Sequence, residues 1–139
     1  LGIAQPPPVR LQIHDSLEAF RDATGRPWWV TVAVAGSTVD LVPLAILEQR
    51  DGLDAFVRRG IAEVLMGETF AGRPAWVRVG GARYYASVTR PTPPKRAECP
   101  SDAELLMAVS APAYRVAELR AEACFARALA KTGDWRRVE

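Results

Sequence analysis

Hydrophobic spacing changes period at Pro43, and that change restricts the fold more than any other feature of the chain. Upstream, Val9, Leu11 and Ile13 alternate with Arg10, Gln12 and His14, the period-two signature of a half-buried strand. Residues 28–35 are rich in aromatic and β-branched side chains, Gly36-Ser37 supplies a turn, and residues 38–42 alternate again; together they read as a hairpin closed by Pro43. Between these segments Asp15 or Ser16 caps a short helix with Leu17, Phe20 and Ala23 on one face, ended by Gly25. Downstream the period becomes helical. Residues 44–49 read as a short helix. Leu53, Phe56, Val57, Gly60, Ile61, Val64 and Leu65 then form a three-and-four stripe, opened by Asp51 or Asp54 and ended by Gly67 and Gly72. Pro74 suits the first turn of a helix over 75–88 that aligns Trp76, Gly80 and Tyr84. Residues 90–100 hold four prolines and read as loop, Asp102 caps a helix over 102–109, and residues 114–131 form a last helix ending at Gly133. The expected class is α+β: a small, mostly antiparallel sheet from the N-terminal third, packed against later helices. Gln5-Pro6-Pro7-Pro8 makes residues 1–8 an extended lead-in, and residues 9–139 read as one domain.

Eighteen basic and sixteen acidic side chains leave a net charge of +2, too little for an electrostatic nucleic-acid binder. The longest apolar run, residues 28–36, falls far short of the ~20 residues that span a bilayer, so no membrane insertion is expected. The single histidine, His14, excludes any site built on two imidazoles. Because the chain starts at Leu1 without Met, an N-terminal segment is expected to have been removed, by a signal peptidase or by deliberate truncation. A secreted or periplasmic origin would favour a Cys99–Cys124 disulfide, and a cytosolic one two buried thiols. The bridge is the expectation, because the Pro-flanked segment around Cys99 can fold back onto the helix carrying Cys124. On the chain-entropy picture it would contribute about 3.5 kcal/mol.

Isolated chemical signals are weak. His14 reads as an edge histidine on a polar strand face, without a partner nucleophile. Ser37 lies in a hairpin turn, and Lys95-Arg96 reads as solvated charge. Val79-Gly80-Gly81 has helical pattern on both sides, so its small residues suit close helix packing rather than a phosphate cradle.

The stretch "LDAFVRRGIAEVLMGETFAGRPAWVRVGGARYYA", residues 53–86, carries more. Its frame resembles the gluzincin metallopeptidases of the peptidase MA-like superfamily, in which a helix reading "LRHELAHVL" is followed, after a short loop, by a helix reading "P-x-W-x-x-E-G-x-A-x-Y". Val57-Arg58, Ala62 and Val64-Leu65 keep the first half, and Pro74, Trp76, Gly80, Ala82 and Tyr84 the second. The resemblance extends to residues 39–47, similar to the strand and short helix that lead into the metal helix. It also takes in residues 123–135, similar to the C-terminal packing helix. It implies a zincin-like domain whose edge strand beside the metal helix runs antiparallel to its neighbours.

The same alignment empties the catalytic centre. Arg59 stands at the first zinc histidine, Gly60 at the general-base glutamate, Glu63 at the second histidine and Val79 at the third ligand. A guanidinium stays protonated and cannot hold a cation, glycine cannot accept a proton, valine has no lone pair, and one carboxylate does not make a zinc site. Neither metal nor other cofactor is expected. Arg59 and Glu63, four apart on one helix face, are expected to pair in place of the ion. Trp76, Arg83 and Tyr84 are candidate groove residues. The resemblance thus implies a pseudopeptidase that binds a peptide or protein without cutting it, an extended ligand adding to a strand edge. Two alternatives are a hydrolase with a non-zinc mechanism and a purely structural docking domain. An open groove beside Arg59, Glu63 and Trp76 would favour binding; a filled one would favour assembly.

Overall fold

The computed structural model describes residues 1–87 and 98–139. Strand β1 (Arg10–Ile13) is followed by helix α1 (Leu17–Thr24), strands β2 (Val32–Ala35) and β3 (Thr38–Leu41), and helices α2 (Leu44–Glu48), α3 (Leu53–Met66), α4 (Ala75–Ala86), α5 (Asp102–Leu106) and α6 (Ala111–Thr132). The period change at Pro43 therefore marks the boundary between sheet and helices, and the class is α+β. Local signals act as expected at several ends. Ser16 accepts the Ala19 N–H, and Gly25 and Gly133 close α1 and α6 in the left-handed conformation.

The sheet is mixed rather than mostly antiparallel. Its order is β1-β3-β2, with β2 antiparallel to β3 and β1 parallel to it. The reason is topological: the chain crosses by way of α1 to lay β2 on the far side, and the tight Gly36-Ser37 turn then inserts β3 between the two older strands. The central strand is the best covered. Val39 and Leu41 are wholly buried, whereas Leu11 and Ile13 on edge strand β1 remain 46% and 44% exposed, so the alternation in β1 does not mark a buried face.

Other expectations shift by a few residues. Trp28–Val30 is a 3₁₀ turn rather than strand; Ser101, not Asp102, caps α5 in a capping box with Glu104; and α5 stops at Leu106. The start of α3 is Gly52, with neither Asp51 nor Asp54 capping it. Helix α6 begins at Ala111, three residues before the expected start, capped by Ser110 and with Pro112 in its first turn. Helix α4 ends at Ala86, and residues 88–97 of the expected helix end and proline loop lie outside the described residues.

Helix α3 lies against β2 and β3 on one side and α4 on the other. Its buried set is therefore wider than a single stripe: Phe56, Arg59, Gly60, Ala62, Val64 and Met66 are buried, while Val57, Ile61 and Leu65 of the expected stripe are only half covered. Gly60 is required by contact with the sheet, since a Cβ there would stand 2.4 Å from Val39 Cγ1. Gly80 is required by helix contact, since its Cβ would stand 2.2 Å from the Ala121 carbonyl oxygen on α6. This is the close packing expected of the small residues in α4. Cys99 and Cys124 are joined in a disulfide, with Cα atoms 5.5 Å apart. No helix among the described residues is long and apolar enough to cross a membrane.

Candidate functional site

The positions marked by the resemblance meet where α3, α4 and the N-terminal half of α6 converge beside β2. Helix α4 is fixed there at its first turn: the Ala75 N–H donates to Asp102 Oδ1 at 2.7 Å, which ties the helix to α5 one turn before Val79. Strand β2 is fixed by a strained residue. Thr31 has φ 61° and ψ −42°, a region that costs a β-branched residue about 1–3 kcal/mol. It is held there by its N–H bond to the Trp28 carbonyl and by the Val42 N–H bonding its own carbonyl, each 3.1 Å.

That last bond also settles which edge of β2 is free. Thr31 and Val42 form a hydrogen-bonded pair, so by antiparallel alternation Ala33–Asp40 and Ala35–Thr38 do too. The backbone N–H and C=O groups of Val32 and Val34 therefore point away from β3. They point along a cleft of about 220 Å³ whose walls are β2, Arg26, Asp40, Glu63, Arg78, Val79 and Tyr114. A wider cleft of about 880 Å³ shares Val34, Glu63 and Arg78 with the first and continues towards Gly2–Gln5. The Glu63–Arg78 ion pair, 3.0 Å, stands where the two meet.

Arg59 and Glu63 do not pair, contrary to expectation. Arg59 Nη1 reaches Glu118 Oε1 at 3.3 Å, with Asp51 a more distant and half-exposed partner at 3.5 Å. Glu118 Oε2 in turn meets Arg83 Nη1 at 3.4 Å, and Arg83 Nε–H donates to Glu122 Oε2 at 2.9 Å. The result is a buried chain, Arg59–Glu118–Arg83–Glu122, that links α3, α4 and α6. Helical spacing made the Arg59–Glu63 pair available, but the crossing of α6 brings Glu118 onto Arg59 and that of α4 brings Arg78 onto Glu63. Burial dominates the electrostatics. It pushes the Glu63 carboxyl above the usual carboxylate range despite Arg78, Arg26 and Arg59, and pushes Glu118 up despite Arg59 and Arg83. It lowers Arg59 and raises the Tyr114 phenol.

Gly60 faces Val39, and Val79 packs among apolar side chains around Tyr114 and Ala121. Zinc does not fit this set. Its one carboxylate is committed to Arg78, the Arg59 guanidinium cannot hold a cation, and among the described residues no three His, Cys, Asp or Glu side chains come together as a metal-binding group. No catalytic step is derived through a metal here.

The remaining candidate residues have other surroundings. Trp76 and Tyr84 pack against the helical core, Tyr84 tilted on Phe125 at 5.6 Å, and Arg83 belongs to the ion chain; none of the three lines either cleft. The groove is walled instead by Arg26, Arg78, Tyr114 and β2, which sequence reasoning did not single out. His14 is not an edge residue. It is 8% exposed, with Nε2 bonded to Asp40 at 2.8 Å, and among the described residues no hydroxyl or thiol is bonded to it. One missed signal was readable: Tyr114, Ala117, Glu118, Ala121, Glu122 and Phe125 recur at helical spacing, so two carboxylates fall on the apolar stripe of α6.

Comparison of the chain with protein-family models, with curated proteins and with solved structures returns no match.

Proposed function

We propose that the chain is a catalytically inactive metallopeptidase-like domain, similar to the gluzincins, that binds an extended peptide along the free edge of β2. One observation carries this reading. The edge strand antiparallel to its neighbour lies against the same cleft as Glu63 and Val79, the positions where the resemblance places the second and third zinc ligands. The N–H and C=O groups of Val32 and Val34, unpaired among the described residues, offer an incoming strand main-chain hydrogen bonds that need no catalytic residue. Of Arg59, Glu63 and Trp76 only Glu63 lines a cleft, and the opening beside it supports binding over the purely structural alternative at that position alone. A hydrolase with another mechanism finds no support, because the His14–Asp40 pair has no adjoining nucleophile among the described residues. The Cys99–Cys124 bridge supports a secreted or periplasmic setting.

The test uses Val34→Pro. Proline removes the outward N–H while leaving the ladder to β3 intact, since Val34 spends no N–H on β3. Immobilised random octapeptides are expected to retain the wild-type chain and to release Val34→Pro at least about tenfold more readily, as loss of one backbone bond plus the steric block would require. Equal retention of both would overturn the reading. Zinc analysis after brief zinc exposure and desalting is expected to show only trace metal; stoichiometric zinc would overturn it independently.

A further inference from the structure

The charged groups of the 220 Å³ cleft differ in how far they are satisfied. Glu63 is held by Arg78 at 3.0 Å and Asp40 by His14 at 2.8 Å. The Tyr114 phenol lies near Glu118, and each influences the other's ionisation. Three arginines, Arg26, Arg59 and Arg78, bury an Nε without a hydrogen-bond partner among the described residues, but Arg59 and Arg78 each have a carboxylate within ion-pair distance, and Arg26 has none among the described residues. It enters the cleft from the segment between α1 and β2, immediately after the left-handed Gly25. Its field still reaches across the cleft, where it favours the ionised forms of Glu63 and Tyr114.

An arginine that lines a cleft without a counter-charge is a poor resting state, because a partly desolvated cation lacks the acceptor that a ligand can supply. The guanidinium's two Nη groups form a planar fork that matches a carboxylate, in a site where partial burial strengthens the pair. The carboxylates already present cannot serve, being committed to Arg78 and His14. The acceptor must therefore arrive with the ligand.

We propose that Arg26 is a carboxylate receptor, and that the groove's ligand class is an extended peptide presenting a carboxylate, from an acidic side chain or from its C-terminus, while its backbone lies on β2. This rests on the reading that β2 is the docking edge.

Four pools of immobilised octapeptides test it: C-terminal acid or C-terminal amide, each with or without Asp and Glu. The wild-type chain, Arg26→Gln, Arg26→Lys and Val34→Pro are compared, with thermal melts showing that each variant is folded. Wild type is expected to bind any pool that contains a carboxylate about tenfold or more better than the amide pool lacking Asp and Glu. Arg26→Gln should remove that preference while leaving weak binding to the neutral pool, and Arg26→Lys should restore part of it. Preference confined to acid termini or to acidic side chains assigns the source, and either supports the proposal. If all pools bind equally and Arg26→Gln changes nothing while Val34→Pro abolishes binding, the carboxylate receptor is refuted and the docking edge stands. If no pool binds wild type, or Val34→Pro binds as wild type does, the docking edge fails and this proposal fails with it.

Discussion

Replacing Glu118 by Met isolates the penalty of an orphaned buried cation. Arg59 and Glu118 side chains are each 10% exposed and 3.3 Å apart. Without Glu118, Arg83 keeps Glu122 at 2.9 Å, but Arg59 keeps only Asp51, 3.5 Å away and 46% exposed. An arginine cannot escape by deprotonating. Leaving it nearly alone in the interior should cost about 3–5 kcal/mol, which at this chain length lowers the melting temperature by roughly 9–15 °C. Arg59→Met is the milder change. Glu118 would retain Arg83 at 3.4 Å and can take up a proton, burial having already pushed its carboxyl upward; a cost of about 1–3 kcal/mol follows. The double variant removes both desolvated charges and leaves the Arg83–Glu122 bond in place, so it should lie within about 1 kcal/mol of wild type. Chemical denaturation of the four proteins gives a coupling of at least about 3 kcal/mol if this is correct. Additive losses would refute the reasoning, because they would mean that the single variants lose packing rather than a counter-charge. A larger coupling for Arg59 with Glu63 than with Glu118 would refute the pairing itself.

Glu63→Gln should change the pH dependence of stability. Because burial raises the Glu63 carboxyl above its unfolded value, its protonated form favours the native state; that contribution is complete below about pH 4.5 and is lost as pH rises through the folded pKa. Urea midpoints from pH 4 to 8 should therefore fall with pH more steeply in wild type than in Glu63→Gln, and parallel curves would contradict this. Gly80→Ala should cost about 3 kcal/mol or more, since the new Cβ meets backbone at Ala121 rather than a movable side chain; an unchanged melting temperature would show that α4 and α6 separate freely. Reducing the Cys99–Cys124 bridge should lower stability by about 3.5 kcal/mol, read from melts with and without reductant.

Much of the architecture is written locally. Period two before Pro43 and period 3.6 after it are properties of neighbouring residues, and so are Ser16 and Gly25 at the ends of α1 and the Gly36-Ser37 turn. That positions 59, 60 and 79 carry no zinc-binding side chain, and 63 only a single carboxylate, is equally a matter of residue identity, independent of folding. Sheet order was not local. Nothing in β1 states that β3 will enter beside it, or that Leu11 and Ile13 will stay exposed while Val39 is covered.

The site divides along the same line. Spacing of four placed Arg59 and Glu63 on one face and made them available to each other, yet a charge pairs with whichever opposite charge the packed helices bring nearest. Residues 59 apart in the chain, Arg59 and Glu118, meet only once α3 and α6 are packed into the same core. The same holds for the unsatisfied Nε–H of Arg26, an ordinary loop cation in the sequence. Side-chain chemistry and short-range period belong to the sequence alone. Which charges are buried together, and which is left without a partner, was decided when the helices crossed, because desolvation and Coulomb attraction depend on distance in space and not along the chain.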